Sequence, residues 1–280
     1  MDTKITRNIK EELNRTGLFL ENIVFISLLK NSSFRVRREE PYAGFTSEGF
    51  EGTIDILAIL KAESDLLVCL PIECKKADPE QKHWVFELRT TPEERTFPFD
   101  LYDFSKNNIN YGKNIFFPTL GYNNMQPLDK AIQSFEFNEA IGKINRNLQQ
   151  RPYLALKQSN EAVSSFLDER RSRIYEIAGI ERNKANILYI PLVVTTANLH
   201  ILNYKPEDID WNSGTIKTDK LDIKDKKWIH YEFPLPYHLR TRIDNNLKGL
   251  VKRPSFIVNS NNFLEFIKAL TYDCKNYLLD

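Results

Sequence analysis

The stretch from Gly52 to Lys76, GTIDILAILKAESDLLVCLPIECKK, constrains the fold more than any other part of the 280-residue chain. Two apolar runs, Thr53 to Leu60 and Leu66 to Lys76, flank Lys61 to Asp65, where every residue is polar or small. Runs of this length and content read as buried strands, and a connection this short makes them an antiparallel hairpin. Asp55, Glu73 and Lys75 stand in these strands where hydrophobic residues are expected.

Strand side chains alternate faces, so Glu73 and Lys75 share one face, and Asp55 shares one with Thr53 and Leu57. A symmetric hairpin sets Leu60 opposite Leu66 and Thr53 opposite Glu73, which makes Asp55 a diagonal neighbour of Glu73. Diagonal side chains start about 7–8 Å apart, within reach of one shared cation. Pro71 cannot donate a ladder hydrogen bond, which predicts a bulge just before Glu73. Two carboxylates among Ile54, Ile56, Leu67 and Ile72 repel each other and lose solvation unless a cation neutralises them. All-oxygen ligation by Asp55 and Glu73 favours Mg²⁺ or Mn²⁺ over zinc. Such an ion polarises a phosphoryl oxygen and orients in-line attack, with Lys75 holding the nucleophile or offsetting the developing charge. That is the chemistry of phosphodiester hydrolysis. The purely architectural alternative is an Asp55–Lys75 ion pair with Glu73 on a solvated strand face.

The flanks add to this. Ile5, Ile9 and Leu13 recur at helical spacing from Thr3, and Gly17 offers a left-handed residue on which that helix can end. From Leu18 to Lys30 the stripe Val24, Phe25, Leu28 is apolar and Glu21 lies on it, so a carboxylate points towards the core, with Arg35 as its salt-bridge partner in the bland reading. Phe34 to Tyr42 reads as a short strand, and Ala43 to Gly52 as a loop. Glu39, Glu40 and Glu51 compete with Glu21 for a place at the site.

Taken together, an acid-bearing helix, an acid in a strand, a turn and E-x-K at the end of the next strand resemble the PD-(D/E)XK nuclease superfamily. Thr53 and Ile54 stand where the proline of that name would be. The segment FLENIVFISLLKNSSFRVRREEPY resembles the first helix and strand of Mrr-like members. The resemblance covers Leu18 to Lys76, and extends to ILYIPLVVTTA and the last strand and helix. It implies a restriction-endonuclease-like α/β fold, a mixed central sheet flanked by helices, and Mg²⁺-dependent cleavage of nucleic acid, DNA before RNA, in restriction or anti-phage defence. Asp55, Glu73, Lys75 and Glu21 become the catalytic group, and the Cys74 backbone carbonyl a further metal ligand. Gln133 takes the place of the glutamine that some members bring to the site. The alternative on the same fold is a catalytically inactive nucleic-acid-binding or assembly module.

After the hairpin, Ala77 to Asn186 reads as an insertion within one domain spanning residues 1–280: an aromatic loop region, then helices over Gln126 to Gln150 and Tyr153 to Ala178 separated by Pro152. His83 reads as an exposed loop residue. Ile187 to Ala197 is a buried strand with Leu199 to Tyr204 returning beside it; Trp228 to Tyr237 is an edge strand because of Pro234 and Pro236; Ser255 to Val258 is a strand capped into a final helix by Asn259 or Ser260.

Lys and Arg (39) nearly cancel Asp and Glu (38), which excludes a global basic field, so a nucleic acid must be met by a local patch. Arg35, Arg37, Arg38, Lys76, Arg170, Arg171 and Arg173 can form one, with Arg38 and Lys76 nearest the hairpin. Cys69, Cys74 and Cys274 are too few and scattered for a disulfide framework or a zinc cage, and an odd count fits a reducing, cytoplasmic setting. No apolar run reaches the roughly 18 residues of a membrane span, so no membrane partner is expected. One site per chain makes a homodimer the expectation for double-strand cleavage.

Overall fold

The computed structural model describes residues 3–43, 51–63, 65–78, 82–88, 99–103, 108–111, 117–121, 130–139, 142–145, 151–167, 171–182, 184–235 and 252–276. Two helices, α1 (Thr3–Arg15) and α2 (Leu18–Leu29), lead into a meander of β1 (Phe34–Ala43), β2 (Glu51–Glu63) and β3 (Leu66–Lys75). Then come β4 (His83–Leu88), β5 (Asp100–Asp103), β6 (Asn108–Tyr111), β7 (Lys130–Asn138) and β8 (Lys143–Asn145). Helices α3 (Arg151–Leu167) and α4 (Arg171–Ala178) follow, then β9 (Asn186–Tyr189), β10 (Leu192–Thr195) and β11 (Asn198–Asn203). The chain closes through a small hairpin of β12 (Ile209–Asp210) and β13 (Thr215–Ile216), then β14 (Asp222–Lys226), β15 (Trp228–Pro234), β16 (Lys252–Asn259) and α5 (Phe263–Asn276).

The result is a mixed α/β structure, a large mixed sheet with helices on both faces. β1, β2 and β3 pair antiparallel, and β10 then runs parallel to both β3 and β16 at the centre. Strand alternation sorts β3 cleanly. Leu66, Val68, Leu70, Ile72 and Cys74 pack with Leu20, Val24 and Leu28 of α2 and Phe266 and Leu270 of α5, while Leu67 and Cys69 pack with Val163 and Phe166 of α3 and Ile174 of α4. Burial on both faces explains why β3 and the run 187–195 read as unbroken apolar segments. That run is cut at Ile190 and Pro191 into β9 and β10, both alongside β3, where the Ile190 N–H reaches the Cys69 carbonyl at 2.9 Å.

Beyond β16 the strands β15, β7, β4, β11 and β14 follow in order, and β14 continues into β15 through Lys227, so the chain path rather than a β14–β15 ladder links the five into a ring. Trp84, Phe86, Ala131, Leu199, Ile201, Tyr231 and Phe233 fill it, joined by Ala155 and Leu156 of α3. The two parallel pairs β3–β10 and β4–β11 are continuous through short links, tied by Ala77 N–H to Thr196 Oγ1 (2.9 Å) and Asn198 N–H to the Lys82 carbonyl (2.6 Å). Among the described residues no helix is long and apolar enough to cross a membrane.

Several expectations give way. The helix predicted over Gln126–Gln150 is replaced, among the described residues, by β7 and β8, because pairing with β4 overrides the helix-forming Gln, Lys and Ala content. Among the described residues the region 77–186 therefore adds β4 to β8 to the sheet, besides contributing α3 and α4. The second predicted helix is two, α3 and α4, and Pro152 opens α3 in its first turn, where its missing N–H costs nothing. β15 is internal, paired with both β16 and β7, and only its end residue Pro234 obeys the proline rule. β11 does not return beside β10; it continues into the ring. β2 and β3 reach to Glu63 and Leu66, a tighter connection than predicted. The register shift falls between Lys61 and Glu63, whereas Pro71 pairs with Leu57 without one. Gly17 has φ −73, so it is not a left-handed helix end.

Candidate active site at the end of β3

The β2–β3 ladder runs in register from Lys61–Leu67 to Ile56–Ile72 and stops there. Leu60 faces Val68, two positions from the symmetric guess, which brings Asp55 to the level of Glu73 instead of a diagonal. Where the ladder ends, the Asp55 carboxylate takes over: Oδ2 accepts the Cys74 N–H at 2.7 Å.

The reason lies one strand away. β1 and β2 keep one register throughout, but the rung Glu39–Asp55 is missing from it, and Glu39 has φ +50. A left-handed residue in a strand reverses the facing of the residues beyond it. Before it, Phe34 packs into the α2 side; after it, Tyr42 packs into the α3 side. β2 turns over at the same level, since Ile54 joins the α3-side core while Ile56 joins the α2-side core. Asp55 sits at this crossover, at the end of the sheet, where strict alternation does not apply.

Glu73 is 1% exposed; one carboxylate oxygen accepts from Lys75 Nζ, and Oε2 has no hydrogen-bond partner among the described residues. Burial, then Asp55, raise its pKa from 4.5 to about 7 against the lowering effect of Lys75. Burial likewise raises Asp55, opposed first by the Cys74 N–H and then by Lys75. Glu21, in the first turn of α2, is raised by burial and by Asp55, and Arg38 partly offsets this from 3.7 Å. Glu39 also bears on both Glu21 and Asp55. Four carboxylates thus crowd one end of the sheet with Arg38 and Lys75 as the cations that oppose them, an excess of negative charge that favours a cation.

Backbone geometry adds an acceptor. A side chain at Gly17 would place its Cβ 3.4 Å from Glu21 Oε1 and 3.7 Å from the Cys74 carbonyl oxygen, so the acid of α2 and the carbonyl of β3 flank the same glycine. Glu21, Asp55, Glu73, the Cys74 carbonyl and Lys75 therefore lie at one locus. Among the described residues no three His, Cys, Asp or Glu side chains form a ready-made metal cage. The fit of Mg²⁺ or Mn²⁺ rests instead on the free buried oxygen of Glu73, on Asp55 and on the carbonyl, all hard oxygen donors.

Not every expected residue joins this locus. Gln133 is exposed on β7, opposite Glu87 of β4 and several strands from β3, so it is not the glutamine of the site. Arg38 turns to α2, donating to Asn22 Oδ1 at 2.7 Å and lying over the Phe25 ring at 5.4 Å, and it replaces Arg35 as the cation beside Glu21. Arg173 is engaged by Glu40 and Glu176. Lys76 is half-buried just past the site. Arg170 lies outside the described residues. Tyr42 escapes sequence reasoning: its ring lies on Gly52, where a Cβ would come within 2.4 Å, and its hydroxyl pKa is raised by burial, then by Glu161, Glu73 and Asp55. Only the glycine hinted at it. His83, expected to be an exposed loop residue, is on β4 with its ring facing His200.

Comparison with protein-family models, with curated proteins and with solved structures finds no match to this chain.

Proposed function

We propose that the chain is a Mg²⁺-dependent nuclease of restriction-endonuclease-like architecture that hydrolyses phosphodiester bonds, DNA being the preferred substrate. The observation that carries the proposal is the placement of Asp55, Glu73 and Lys75 at one end of a buried sheet, with two carboxylates raised by burial and one buried oxygen of Glu73 free. The order α2, β1, β2, β3 and, after the intervening β4 to β8, α3 and a strand parallel to β3 supports the same reading, as does Glu21 on the helix beside it.

Asp55, Glu73 and the Cys74 carbonyl are the groups that would hold Mg²⁺, and Glu21 lies beside them. When bound, the ion supplies Lewis-acid polarisation of the phosphate and lowers the pKa of water. The chain does the rest. The Cys74 N–H fixes the Asp55 carboxylate, so one oxygen is committed and the other is presented. Lys75, with its side chain 30% exposed, keeps an ammonium at the rim where it can bind a phosphate oxygen and offset charge as the transition state forms. The apolar flanks on both sides of β3 exclude water from the inner side of the carboxylates, which strengthens each of these interactions.

The test uses the full chain with Mg²⁺ or Mn²⁺ on plasmid, linear and single-stranded DNA and on RNA. Cleavage that is abolished by EDTA, by Asp55→Ala and by Lys75→Ala supports the proposal; intact substrates under all conditions overturn it. A second reading, a catalytically silent nucleic-acid-binding or assembly module, is favoured by the Lys75–Glu73 ion pair, which satisfies part of the charge without metal. It requires binding that persists in EDTA and survives Asp55→Ala, without cleavage.

A further inference from the structure

A cavity of about 310 Å³ opens at the corner where β14 turns into β15, lined by Leu88, Leu120, Ile201, Lys226, Trp228 and His230 among others. Its size is at the low end for small-molecule sites, about 300–1,000 Å³, which suits one nucleotide unit and is too small for a peptide segment or a folded partner. Its lining is mixed: Leu88 of β4, Ile201 of β11, Leu120 and Ile229 supply the apolar part, and Asp225, Lys226, Lys227 and His230 the polar part. One lining ring is held in place: the Trp228 indole N–H donates to the Leu120 carbonyl at 3.0 Å, and the ring meets Phe266 edge-to-face at 5.9 Å. A pinned indole beside aliphatic side chains is a stacking platform for a planar base.

The charge at the rim is selective. Lys227 is engaged by Glu265 at 2.7 and 2.9 Å, and Asp225 is turned to His200 Nδ1 at 2.7 Å. Lys226 is exposed and pairs with no carboxylate among the described residues, so it is the cation left for an anionic ligand.

The location connects the cavity to the site. Glu73 pairs with Val193, Val193 with Ile257, and Ile257 with Ile229, which lines the cavity. Two positions further on, Lys75 is level with Thr195 and Thr195 with Asn259, whose N–H donates to the Lys227 carbonyl at 3.0 Å. The cavity corner and the end of β3 therefore lie on one edge of the sheet, three strand spacings or roughly 14 Å apart. That is the reach of a short stretch of single-stranded backbone.

We propose that this cavity binds one nucleotide of the substrate, its base against Trp228 and Ile201 and its phosphate on Lys226, a few nucleotides from the bond at Lys75. The proposal rests on the nuclease reading for its biological sense, but its test does not. Binding of deoxynucleoside monophosphates and of a fluorescein-labelled ten-nucleotide single strand is measured in EDTA, on full-length protein carrying Lys75→Ala. The expected result is that monophosphates bind and compete with the oligonucleotide, and that Ile201→Trp, which fills the cavity, and Lys226→Glu each weaken binding at least tenfold. Lys226 is on the surface, so its variant reports even if Ile201→Trp does not fold. Absence of monophosphate binding, or Lys226→Glu binding like its parent, overturns the proposal. Cleavage by the wild-type chain together with unaltered binding by the variants removes the cavity site and leaves the nuclease; variant-sensitive binding with no cleavage under any condition does the reverse.

Discussion

A carboxyl group held near neutrality changes charge with whatever else is bound, and Glu73 is such a group, its pKa raised from 4.5 to about 7 by burial and by Asp55. Between those two pH values the folded chain keeps a proton that the unfolded chain has released, so stability falls as pH rises through the window. Above pH 7 the full penalty of a buried charge remains unless a cation offsets it. Glu73→Gln is therefore expected to stabilise the metal-free protein at pH 8 by on the order of 1–3 kcal/mol and to flatten the loss between pH 4.5 and 7. The same change is expected to abolish the proposed Mg²⁺-dependent cleavage. Thermal unfolding in EDTA across this pH range checks it, and a lower midpoint at pH 8 would contradict it. Asp55, Glu73 and Lys75 were legible in the sequence because charges in apolar strands are costly and stand out. Tyr42 on Gly52, and Gly17 between Glu21 and Cys74, were not, because each contact joins separate elements and leaves no local pattern.

At the scale of elements, the site depends on a paired reversal of facing in β1 and β2. Glu39 holds it with φ +50, a conformation that costs an L-residue roughly 1–2 kcal/mol and costs glycine little. Glu39→Val adds a β-branched side chain where it fits worst, and a loss of about 1–2 kcal/mol is expected, with weaker metal binding because Asp55 shifts. Glu39→Gly is expected to keep the fold within about 1 kcal/mol of the parent. Denaturant unfolding of the pair tests this; equal stabilities would show that the reversal is not set at Glu39. Sequence alone made β1 a plain strand, since facing within a strand is read from alternation and a single left-handed residue hides between Arg38 and Glu40. The same limit explains β7. Phe135, Glu136 and Phe137 alternate as a strand should, but helix-forming neighbours masked the signal, and the pairing with β4 that decides the matter is remote in sequence. The apolar runs of β2, β3 and 187–195 read correctly because burial on both faces marks the sequence directly.

Across the whole molecule, side chains as well as ladders tie the strands beyond β16 to one another. His83 Nδ1 faces His200 Nε2 at 2.7 Å, while the outer nitrogens meet Glu139 and Asp225, so one chain of polar contacts links β4, β11, β14 and the turn after β7. His83→Phe should cost about 1–3 kcal/mol and speed amide exchange in β14 while leaving β3 protected; unchanged exchange in β14 would refute the linkage. The interleaving of segments also bears on biogenesis. β10 lies between β3 and β16, so the middle of the sheet pairs an early strand with a late one. During synthesis the meander of β1, β2 and β3 is complete while the open edge of β3 still awaits β9 and β10, and the edge of β10 awaits β16. Pairing over such separations is slow, and an unpaired apolar strand edge is a template for aggregation. The nascent chain is thus most vulnerable in the interval before residues 252–259 emerge, when the strands that carry the candidate site are already made.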